Sequence, residues 1–514
     1  MALKLFIVLS STVLFLQACL ALGEKNYNGE ASLTPEVTHI ANSIKGSEMI
    51  GHATTLCSPK FRGREVTSKG GRRAAQFIAQ RFRELGLRPG GQAGSYYHFF
   101  KIRPGYRITS SLESFLSSLS ISEYKRGRDY MPIHLPQKRV DFDHMPCTLV
   151  GYGVSEKDLG LDEYSKVDVK GHAVIVFTGV PKQEWLQDKR NLASLSYKAQ
   201  KAHERGAHLL FIVDDPAGWR PRVAIEERLR LPDSHVKIES PIAIVHVKRE
   251  FVADLTGMSE FAISLFAKEI REDLIAAAKP LRGRTIHFHA SLTGKAPMGR
   301  NVTALLPGRD KDLAREAIVI GAHYDHLGED EDGIYFGAND NAAGVSALLA
   351  LAKAFTELKE PPKRSIVFVS FDAEEDGQRG SWRYVKRPPI ALSKTVLMIN
   401  FDMIGRNNPN SIIAVGTKSS KALHEIHIKM NELVGLQLEQ SKSLRLGLSD
   451  HSPFYEQQVP VFYLFGGLTL DYHTVDDRPE KLDIEKMEKV ARLAFLTAWA
   501  IAERRERLKF QLGL

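Results

Sequence analysis

Two adjacent glutamates, Glu374 and Glu375, end the apolar stretch IVFVSFDA in the second half of the 514-residue chain. Acidic residues are depleted from β-strands, so a pair of them directly after a strand-like segment is unusual for a purely structural position. Carboxylates at such a point can bind a metal ion or transfer a proton. The pair acquires a chemical role only if other segments supply partners for it.

Further segments place a histidine or an aspartate at the end of a predicted strand or at the start of a helix. His323 and Asp325 follow AIVIGA, Asp340 lies in FGANDNAAG at the start of a helix, Asp402 follows TVLMINF, and His473 comes shortly after VPVFYLFGG. In open α/β sheets ligands bind beyond the carboxyl ends of the strands. We therefore expect these side chains to meet the glutamate pair at one edge of a sheet.

The ligand types in this set favour zinc in an enzyme site. Two histidines and three carboxylates without a thiolate suit a catalytic zinc, because structural zinc is more often held by cysteine. Five ligands exceed what one open catalytic zinc needs, and they are enough for two ions that share one carboxylate. Taken singly, each residue keeps a structural alternative, such as capping of the following helix by Asp340.

The elements that position this set predict an α/β fold with a mostly parallel mixed sheet and helices on both faces. Near-continuous apolar strands alternate with helices in residues 281–514, which is typical of strands buried on both sides. The stretch 420–434 and a long segment that begins after Asp483 are predicted helices. A further helix is predicted near the N-terminus, with Ala74 and Ile78 on its apolar face.

Residues 131–280 predict a second, smaller α/β unit. Buried-type strands such as GHAVIVFTGVP and AHLLFIVDDP alternate there with helical segments, and we find no cluster of His, Asp and Glu at ligand spacing. The rhythm of strands and helices resembles the protease-associated domain, a small module inserted in several exopeptidases and sorting receptors. Residues 23–130 are then the N-terminal part of the domain that this module interrupts, and residues 281–514 are the part that carries the candidate catalytic residues.

The first 22 residues are typical of a signal peptide: Lys4, an apolar run from Leu5 to Leu16, and small residues. The run is shorter than the roughly 20 residues that a membrane-spanning helix needs, and no other segment is long and apolar enough. The sequence therefore predicts export to a secreted or periplasmic location. LQAC resembles a bacterial lipoprotein cleavage box, which leaves a lipid anchor at Cys19 as an open alternative.

The overall charge and the cysteines restrict the function less sharply. The net charge is +9, but no basic block with interleaved aromatic residues is present, so nucleic acid is not a predicted partner. Cys57 and Cys147 either pair in an oxidising compartment or remain buried free thiols. The sequence does not show the oligomeric state.

The motifs as a set resemble a known family. GAHYDH, GANDNAAG, AEEDGQRGS, NFDMIG, SDHSPF and YHTVDD are similar in order and spacing to the motif series of family twenty-eight of the metallopeptidases. These are zinc aminopeptidases with a co-catalytic metal pair. The resemblance implies five ligands for two Zn²⁺ ions: His323 and Asp402 on one ion, Glu375 and His473 on the other, and Asp340 bridging both.

The resemblance also implies roles for residues around the ligands. Glu374 would remain free of metal and act as the general base on water. Asp325 would hydrogen-bond His323 and fix its tautomer. Asp477 matches a position that the family usually fills with aspartate, and Asp450 either orients the site or caps a helix. The family often has a cis peptide after its bridging aspartate, here Asp340–Asn341.

The predicted function is that of an exported two-zinc exopeptidase that removes N-terminal residues from peptides with a free terminus. Three alternatives remain: a carboxypeptidase or dipeptidase on the same scaffold, a glutaminyl cyclase, and a non-catalytic receptor-like protein. The carboxypeptidase alternative stays open because pocket residues, and not the metal-site motifs, determine which peptide end is recognised.

Overall fold

The computed structural model describes residues 33–102, 107–117, 119–126, 129–156, 158, 160–181, 190–215, 240–273, 278–293, 298–330, 332–439 and 449–512. The chain divides into two compact units, which we call the large unit (Met1–Phe100 with Met298–Leu514) and the small unit (Lys101–Pro297). The signal peptide predicted for residues 1–22, with Cys19, lies outside the described residues.

Eleven helices and twenty-one strands are assigned to the described residues. The helices are α1 Pro35–Ser43, α2 Gly46–Leu56, α3 Lys69–Glu84, α4 Leu195–Glu204, α5 Arg249–Thr256, α6 Glu260–Asp273, α7 Ala343–Thr356, α8 Arg379–Lys386, α9 Lys421–Asn431, α10 Ser452–Glu456 and α11 Ile484–Glu503. The strands are β1 Arg88–Pro89, β2 Tyr97–Lys101, β3 Arg107–Leu116, β4 Leu119–Tyr124, β5 Tyr130–His134, β6 Arg139–Gly151, β7 Ser155–Glu156, β8 Leu161–Asp162, β9 Ala173–Phe177, β10 Leu209–Val213, β11 Ala243–Val247, β12 Lys279–Thr293, β13 Met298–Leu306, β14 Ala317–His323, β15 Glu329–Asp330, β16 Gly333–Ile334, β17 Ser365–Phe371, β18 Thr395–Asp402, β19 Ser411–Val415, β20 Gln437–Glu439 and β21 Val461–Phe465.

The large unit is built on a nine-stranded mixed sheet in the order β1-β13-β17-β14-β18-β21-β19-β20, with β2 also paired to β13. The four central strands β17, β14, β18 and β21 are parallel. The antiparallel pairs β13–β17 and β19–β21 flank them. The predicted mixed, mostly parallel sheet is therefore confirmed.

Both faces of this sheet are covered. Alternate residues of each strand point to opposite sides, and they pack into two different hydrophobic cores. Ile318 and Ile320 of β14 belong to the core that includes residues of α3, α7 and α11. Val319, between them, belongs to a second core with Trp382 of α8 and Phe454 of α10. Strands buried on both faces need apolar residues at every position, which is why their sequences show no polar alternation.

The predicted helices of the large unit are present. Two of them, α3 and α11, have a side-chain cap at the N-terminus. The Ser68 hydroxyl accepts a hydrogen bond from the Gly71 amide at the start of α3, at 2.9 Å. Asp483 accepts one from the Lys486 amide at the start of α11, at 2.8 Å, as its position in the sequence predicts. Ala74 of α3 is fully buried, in agreement with the predicted apolar face.

The small unit contains an eight-stranded mixed sheet in the order β4-β3-β12-β6-β9-β10-β11-β5. The strands β6, β9, β10 and β11 run parallel to their neighbours within this group, and the remaining pairs are antiparallel. The unit is wider than the predicted segment 131–280, because β3 and β4 precede that segment and β12 extends beyond it to Thr293.

Two further sequence-based questions concern the cysteines and the membrane. Cys57 and Cys147 are both buried free thiols, so the alternative of a disulfide between them is not realised. Burial raises the pKa of the Cys57 thiol to about 12, which keeps it protonated and unreactive at neutral pH. Among the described helices, we find none with the length and apolar character required to cross a bilayer.

Candidate metal centre

Parallel strands of the large unit end at a common edge of the sheet, where they carry the predicted ligands. β14 ends at His323, which lies opposite Phe371, the last residue of β17. β18 ends at Asp402, which lies opposite Phe465, the last residue of β21. The glutamate pair directly follows β17. The structure therefore brings these side chains to the carboxyl edge, where open α/β sheets bind their ligands.

His323, Asp402 and Asp340 form a first group of donors. Nε2 of His323 lies 3.4 Å from Oδ1 of Asp402 and 3.4 Å from Oδ1 of Asp340. All three residues are buried, and one donor atom from each lies within 4.8 Å of the others. One imidazole and two carboxylates at these separations can share a single divalent cation.

His473 and Glu375 form a second group with the other oxygen of Asp340. Nε2 of His473 lies 3.2 Å from Oδ2 of Asp340 and 3.3 Å from Oε2 of Glu375. Asp340 thus turns one carboxylate oxygen towards each of the two groups. This is the arrangement that a carboxylate shared by two cations requires.

His326 is a functional candidate that the sequence analysis did not single out. Its Nδ1 lies 2.9 Å from Oε1 of Glu375 and 3.9 Å from Oδ2 of Asp340, and the side chain is completely buried. The available signal was the second histidine of the HYDH stretch, three residues after His323. That signal is weak by itself, because only the fold shows that His326 faces the second group of donors.

Asp325 contacts the glutamate pair through its carboxylate and the imidazole of His323 through its backbone carbonyl. Its Oδ1 accepts a hydrogen bond from the Glu374 amide at 3.0 Å, and its Oδ2 accepts one from the Glu375 amide at 3.2 Å. The carboxylate is 3.9 Å from Nδ1 of His323, beyond hydrogen-bond reach, whereas the Asp325 carbonyl oxygen is 3.2 Å from it. The predicted hydrogen bond between Asp325 and His323 is therefore made by the Asp325 backbone carbonyl, while both carboxylate oxygens bind the amides of the glutamate pair.

Asp477 fixes the turn Ala338–Ala342, which carries the bridging Asp340. Its carboxylate accepts hydrogen bonds from the amides of Asn339, at 2.9 Å, and Asp340, at 3.0 Å. The Asp340–Asn341 peptide bond is cis, as the family resemblance implies. Asp477 thus positions the bridging residue through its backbone.

Arg64 connects the N-terminal part of the large unit to the loops around this turn. The residue is fully buried. Its guanidinium donates hydrogen bonds to four backbone carbonyls, those of Tyr324 (2.8 Å), Leu56 (3.0 Å), Phe336 (2.6 Å) and Gly337 (2.8 Å). Gly337 has a φ of 56°, and a Cβ there would lie 2.2 Å from the Asp340 carbonyl oxygen, so a side chain does not fit.

Glu374 and Asp450 are two further buried acids of the site. Glu374 is only 6 % exposed. Its negative charge, together with those of Asp402 and Asp340, raises the pKa of His323. Asp450 is completely buried, and burial raises its pKa to about 7. The N-terminus of α10 has no side-chain capping bond, so the capping alternative for Asp450 is not realised.

The electrostatics of the site favour a bound cation. Burial opposes protonation of His323, yet the carboxylates of Asp402, Glu374 and Asp340 together outweigh burial and raise the pKa of this imidazole well above its usual value. Burial likewise opposes protonation of His473, whose pKa the Glu375 carboxylate raises to about 9. Buried carboxylates in such excess are costly unless positive charge balances them. The nitrogen and oxygen donors fit zinc, and two positions for an ion can share Asp340.

A comparison with models of protein families matches the part of the chain that carries this site. Residues 301–498 match a family model described as Peptidase family M28. The matched range contains all five predicted ligands, the glutamate pair and the three supporting aspartates.

Two curated relatives also match this chain. Leupeptin-inactivating enzyme 1 of Streptomyces exfoliatus is 30 % identical over 179 residues, which are 34 % of this chain and 38 % of that protein. Aminopeptidase YwaD of Bacillus subtilis (strain 168) is 24 % identical over 279 residues, 52 % of this chain and 53 % of that protein. The chain thus spans about half or less of the length of these relatives.

Among solved structures, BSAP, a zinc aminopeptidase from Bacillus subtilis, superposes with a TM-score of 0.60 at 19 % sequence identity. The match covers 89 % of this chain and 95 % of that chain. It shows that the two proteins share their α/β fold.

Proposed function

Residues 301–498 belong to peptidase family M28, and from this premise we propose that the protein is an exopeptidase with two zinc ions that removes N-terminal residues from peptides. The observation that carries the proposal is the position of Asp340, which turns one carboxylate oxygen to His323 and the other to His473. A carboxylate placed in this way suits two ions that act together on one substrate.

Each ion has its own set of side chains in this proposal. His323 and Asp402 would hold one zinc, Glu375 and His473 would hold the other, and Asp340 would contribute one oxygen to each. When bound, the ion pair supplies an activated water and polarises the scissile carbonyl. His326 is a positioning residue: its Nδ1 donates to Oε1 of Glu375 at 2.9 Å and leaves Oε2 directed towards His473.

Glu374 is the proposed general base. It accepts a proton from the attacking water and returns this proton to the leaving amine of the substrate. The amides of Glu374 and Glu375 bond to the two oxygens of Asp325, so one buried carboxylate fixes the backbone from which both side chains project. This arrangement explains why two adjacent glutamates with different roles follow a buried strand.

The choice of the N-terminal end of the peptide rests on the relatives. Aminopeptidase YwaD carries this activity in its name, as does the zinc aminopeptidase of Bacillus subtilis. The partners are accordingly peptides with a free amino group. Cleavage at the other end is an outcome that the experiment below can reveal.

Export is part of the proposal and rests on residues 1–22 alone. A signal peptide there places the enzyme in a secreted or periplasmic location, and a lipid anchor at Cys19 stays an alternative. The small unit is proposed to be the protease-associated module, on the strength of its parallel strands β9, β10 and β11 and of helix α4 between β9 and β10.

The test is hydrolysis of amino-acid arylamides by the purified, metal-analysed protein, with and without a chelator. We expect chelation to abolish activity, and zinc to restore it. We expect Glu374→Gln to lower kcat by about 10²–10⁴-fold, because the amide cannot accept the proton. The matched control is Glu425→Gln, which changes a largely exposed glutamate of α9 and leaves kcat at the wild-type value.

A panel of N-blocked and C-blocked dipeptides measures which end is recognised. An aminopeptidase cleaves the C-blocked dipeptides and not the N-blocked ones, and the reverse result would establish a carboxypeptidase. Activity that is indifferent to both chelation and Glu374→Gln would end the two-zinc proposal.

A further inference from the structure

A second cluster of histidines and carboxylates lies in the small unit, on the antiparallel strands β6 and β12. His287 and His289 alternate with Phe288 along β12, so both project from the same face of the sheet. In the strand register His289 lies opposite Asp141. The sequence analysis missed this cluster because it examined residues 131–280, and both histidines lie just beyond that range.

A β-bulge brings Asp143 into the cluster. Ile286 pairs with Met145 and Phe288 with Phe142, so two residues of β6, Asp143 and His144, oppose the single residue His287. An extra residue of this kind bends the strand and redirects side chains. The ring of His144, whose backbone has a φ of 50°, lies 4.4 Å from the ring of His287.

The distances between donor atoms match those of a metal site. Oδ1 of Asp143 lies 3.2 Å from Nε2 of His289 and 3.7 Å from Nδ1 of His287. The three donor atoms lie within 4.8 Å of one another. Ligand bonds of about 2.0–2.2 Å in a tetrahedral site place neighbouring donor atoms about 3.3–3.6 Å apart. Small side-chain rotations are therefore sufficient to surround an ion.

Ion pairing alone accounts for only part of this arrangement. His289 has a carboxylate at each ring nitrogen, with Asp141 at 3.1 Å from Nδ1. Asp141 is also bound by Arg139, which leaves Asp143 as the acid directed at both histidines. Nε2 of His287 is buried and has no hydrogen-bond partner among the described residues. Nδ1 of His287 is therefore the ring nitrogen that can bind an ion beside Asp143.

We infer that Asp143, His287 and His289 bind one divalent transition-metal ion, in a site of the small unit that is separate from the zinc pair of the large unit. Two imidazoles and one carboxylate select zinc, nickel or copper over magnesium and calcium, which prefer oxygen ligands. The ion connects β6 to β12 across the bulge. The fourth coordination position is filled by water, because Asp143 and His289 face solvent.

The first test is equilibrium dialysis of the full chain against buffered, low-micromolar free Zn²⁺, with the bound zinc counted by mass spectrometry. We expect Asp143→Asn and His289→Gln each to bind one zinc equivalent less than the wild-type protein. The control is His203→Gln, which changes an exposed histidine of α4 and leaves the count unchanged. Because the readout is a difference of one ion, it is independent of whether the large unit holds two.

The second test locates the ion directly. Crystals of the full chain grown with Zn²⁺ should give an anomalous difference peak between Asp143, His287 and His289. Equal zinc counts for the wild-type protein and both variants would overturn the inference. Binding that requires millimolar Zn²⁺ would overturn it as well, since surface histidines in general bind zinc at that concentration.

Discussion

The two clusters of histidine and carboxylate differ in how the protein holds their carboxylates. In the large unit, Asp325 and Asp477 accept backbone N–H bonds, and each is completely or almost completely buried. In the small unit, Asp143 lies at a bulge with 65 % of its side chain exposed, and no backbone amide of the described residues donates a hydrogen bond to its carboxylate. One cluster is fixed before any ion arrives, whereas the other can rearrange around an ion.

This difference determines what each cluster can do. A fixed, water-excluded set of donors costs folding free energy because its carboxylates are buried, but it places every group where a reaction needs it. A solvent-facing set has a small desolvation cost and holds an ion with exchangeable water. We therefore propose catalysis for the large unit and a cross-link between two strands for the small unit.

The largest expected effect is on the bridging acid. Asp340→Asn replaces a shared carboxylate by a neutral amide, and both groups of donors lose a negative ligand. We expect zinc retention to fall by more than about 100-fold, since loss of a supporting residue alone costs about 10–100-fold. Arylamide hydrolysis should fall with it, and both are measured on protein dialysed at fixed free zinc.

The matched variant of the other cluster sharpens this prediction. Asp143→Asn also removes one central carboxylate, but it should remove a single ion and leave the zinc of the large unit bound. If Asp340→Asn retained as much zinc as Asp143→Asn, the contrast between a bridging and a terminal carboxylate would be lost.

The second prediction compares two arginines, one near each cluster: Arg64, which bonds to the loops around Asp340, and Arg139, which pairs with Asp141. Arg64→Met leaves four backbone carbonyls without their donor in a buried place, and we expect the unfolding free energy to fall by about 3 kcal/mol or more. Arg139→Met removes a largely exposed partner of Asp141, so the unfolding free energy should not change measurably. Urea unfolding followed by circular dichroism measures both variants. Equal stability of the two would show that Arg64 does not anchor the loops.

The third prediction concerns His326. We expect His326→Ala to weaken binding of the second ion by about 10–100-fold, because Glu375 loses the donor that orients it. Zinc titration of the metal-free protein measures this, with His427→Ala as the control. His427 is equally buried in the large unit, but its Nδ1 bonds to the Leu423 carbonyl oxygen of its own helix and not to a proposed ligand. An unchanged second affinity in His326→Ala would exclude the positioning role.

The sequence predicted the fold, and it predicted that the five proposed ligands lie close together, for a physical reason. Strands buried on both faces are apolar throughout, so the polar residue that ends each one is conspicuous. His323 and Asp402 are found in this way, as is the glutamate pair. A capping residue such as Asp483 acts on amides within its own first turn, so it too is recognisable locally.

The sequence did not predict the contacts that depend on tertiary geometry. Arg64 bonds to backbone carbonyls, which any sequence can supply, so no pattern marks its partners. The second contact of Asp325 has a similar cause, since its carboxylate binds the amides of Glu374 and Glu375 at a neighbouring strand end. The cluster of the small unit depends on a β-bulge that sets the register of β6 against β12, and the register of distant strands is not readable from their sequences.

The smallest expected effect concerns the order in which the ions leave. With rising chelator concentration, the solvent-facing ion of the small unit should dissociate first, because water and chelator reach it directly and Asp143 has no fixed position. Hydrolysis of arylamides should stay constant while this first equivalent is released, and should fall only when the buried pair is stripped. Zinc content and activity are measured on the same samples. A loss of activity that parallels the first released equivalent would mean that the more exposed cluster binds more tightly than the buried one, and the contrast between the two units would then be wrong.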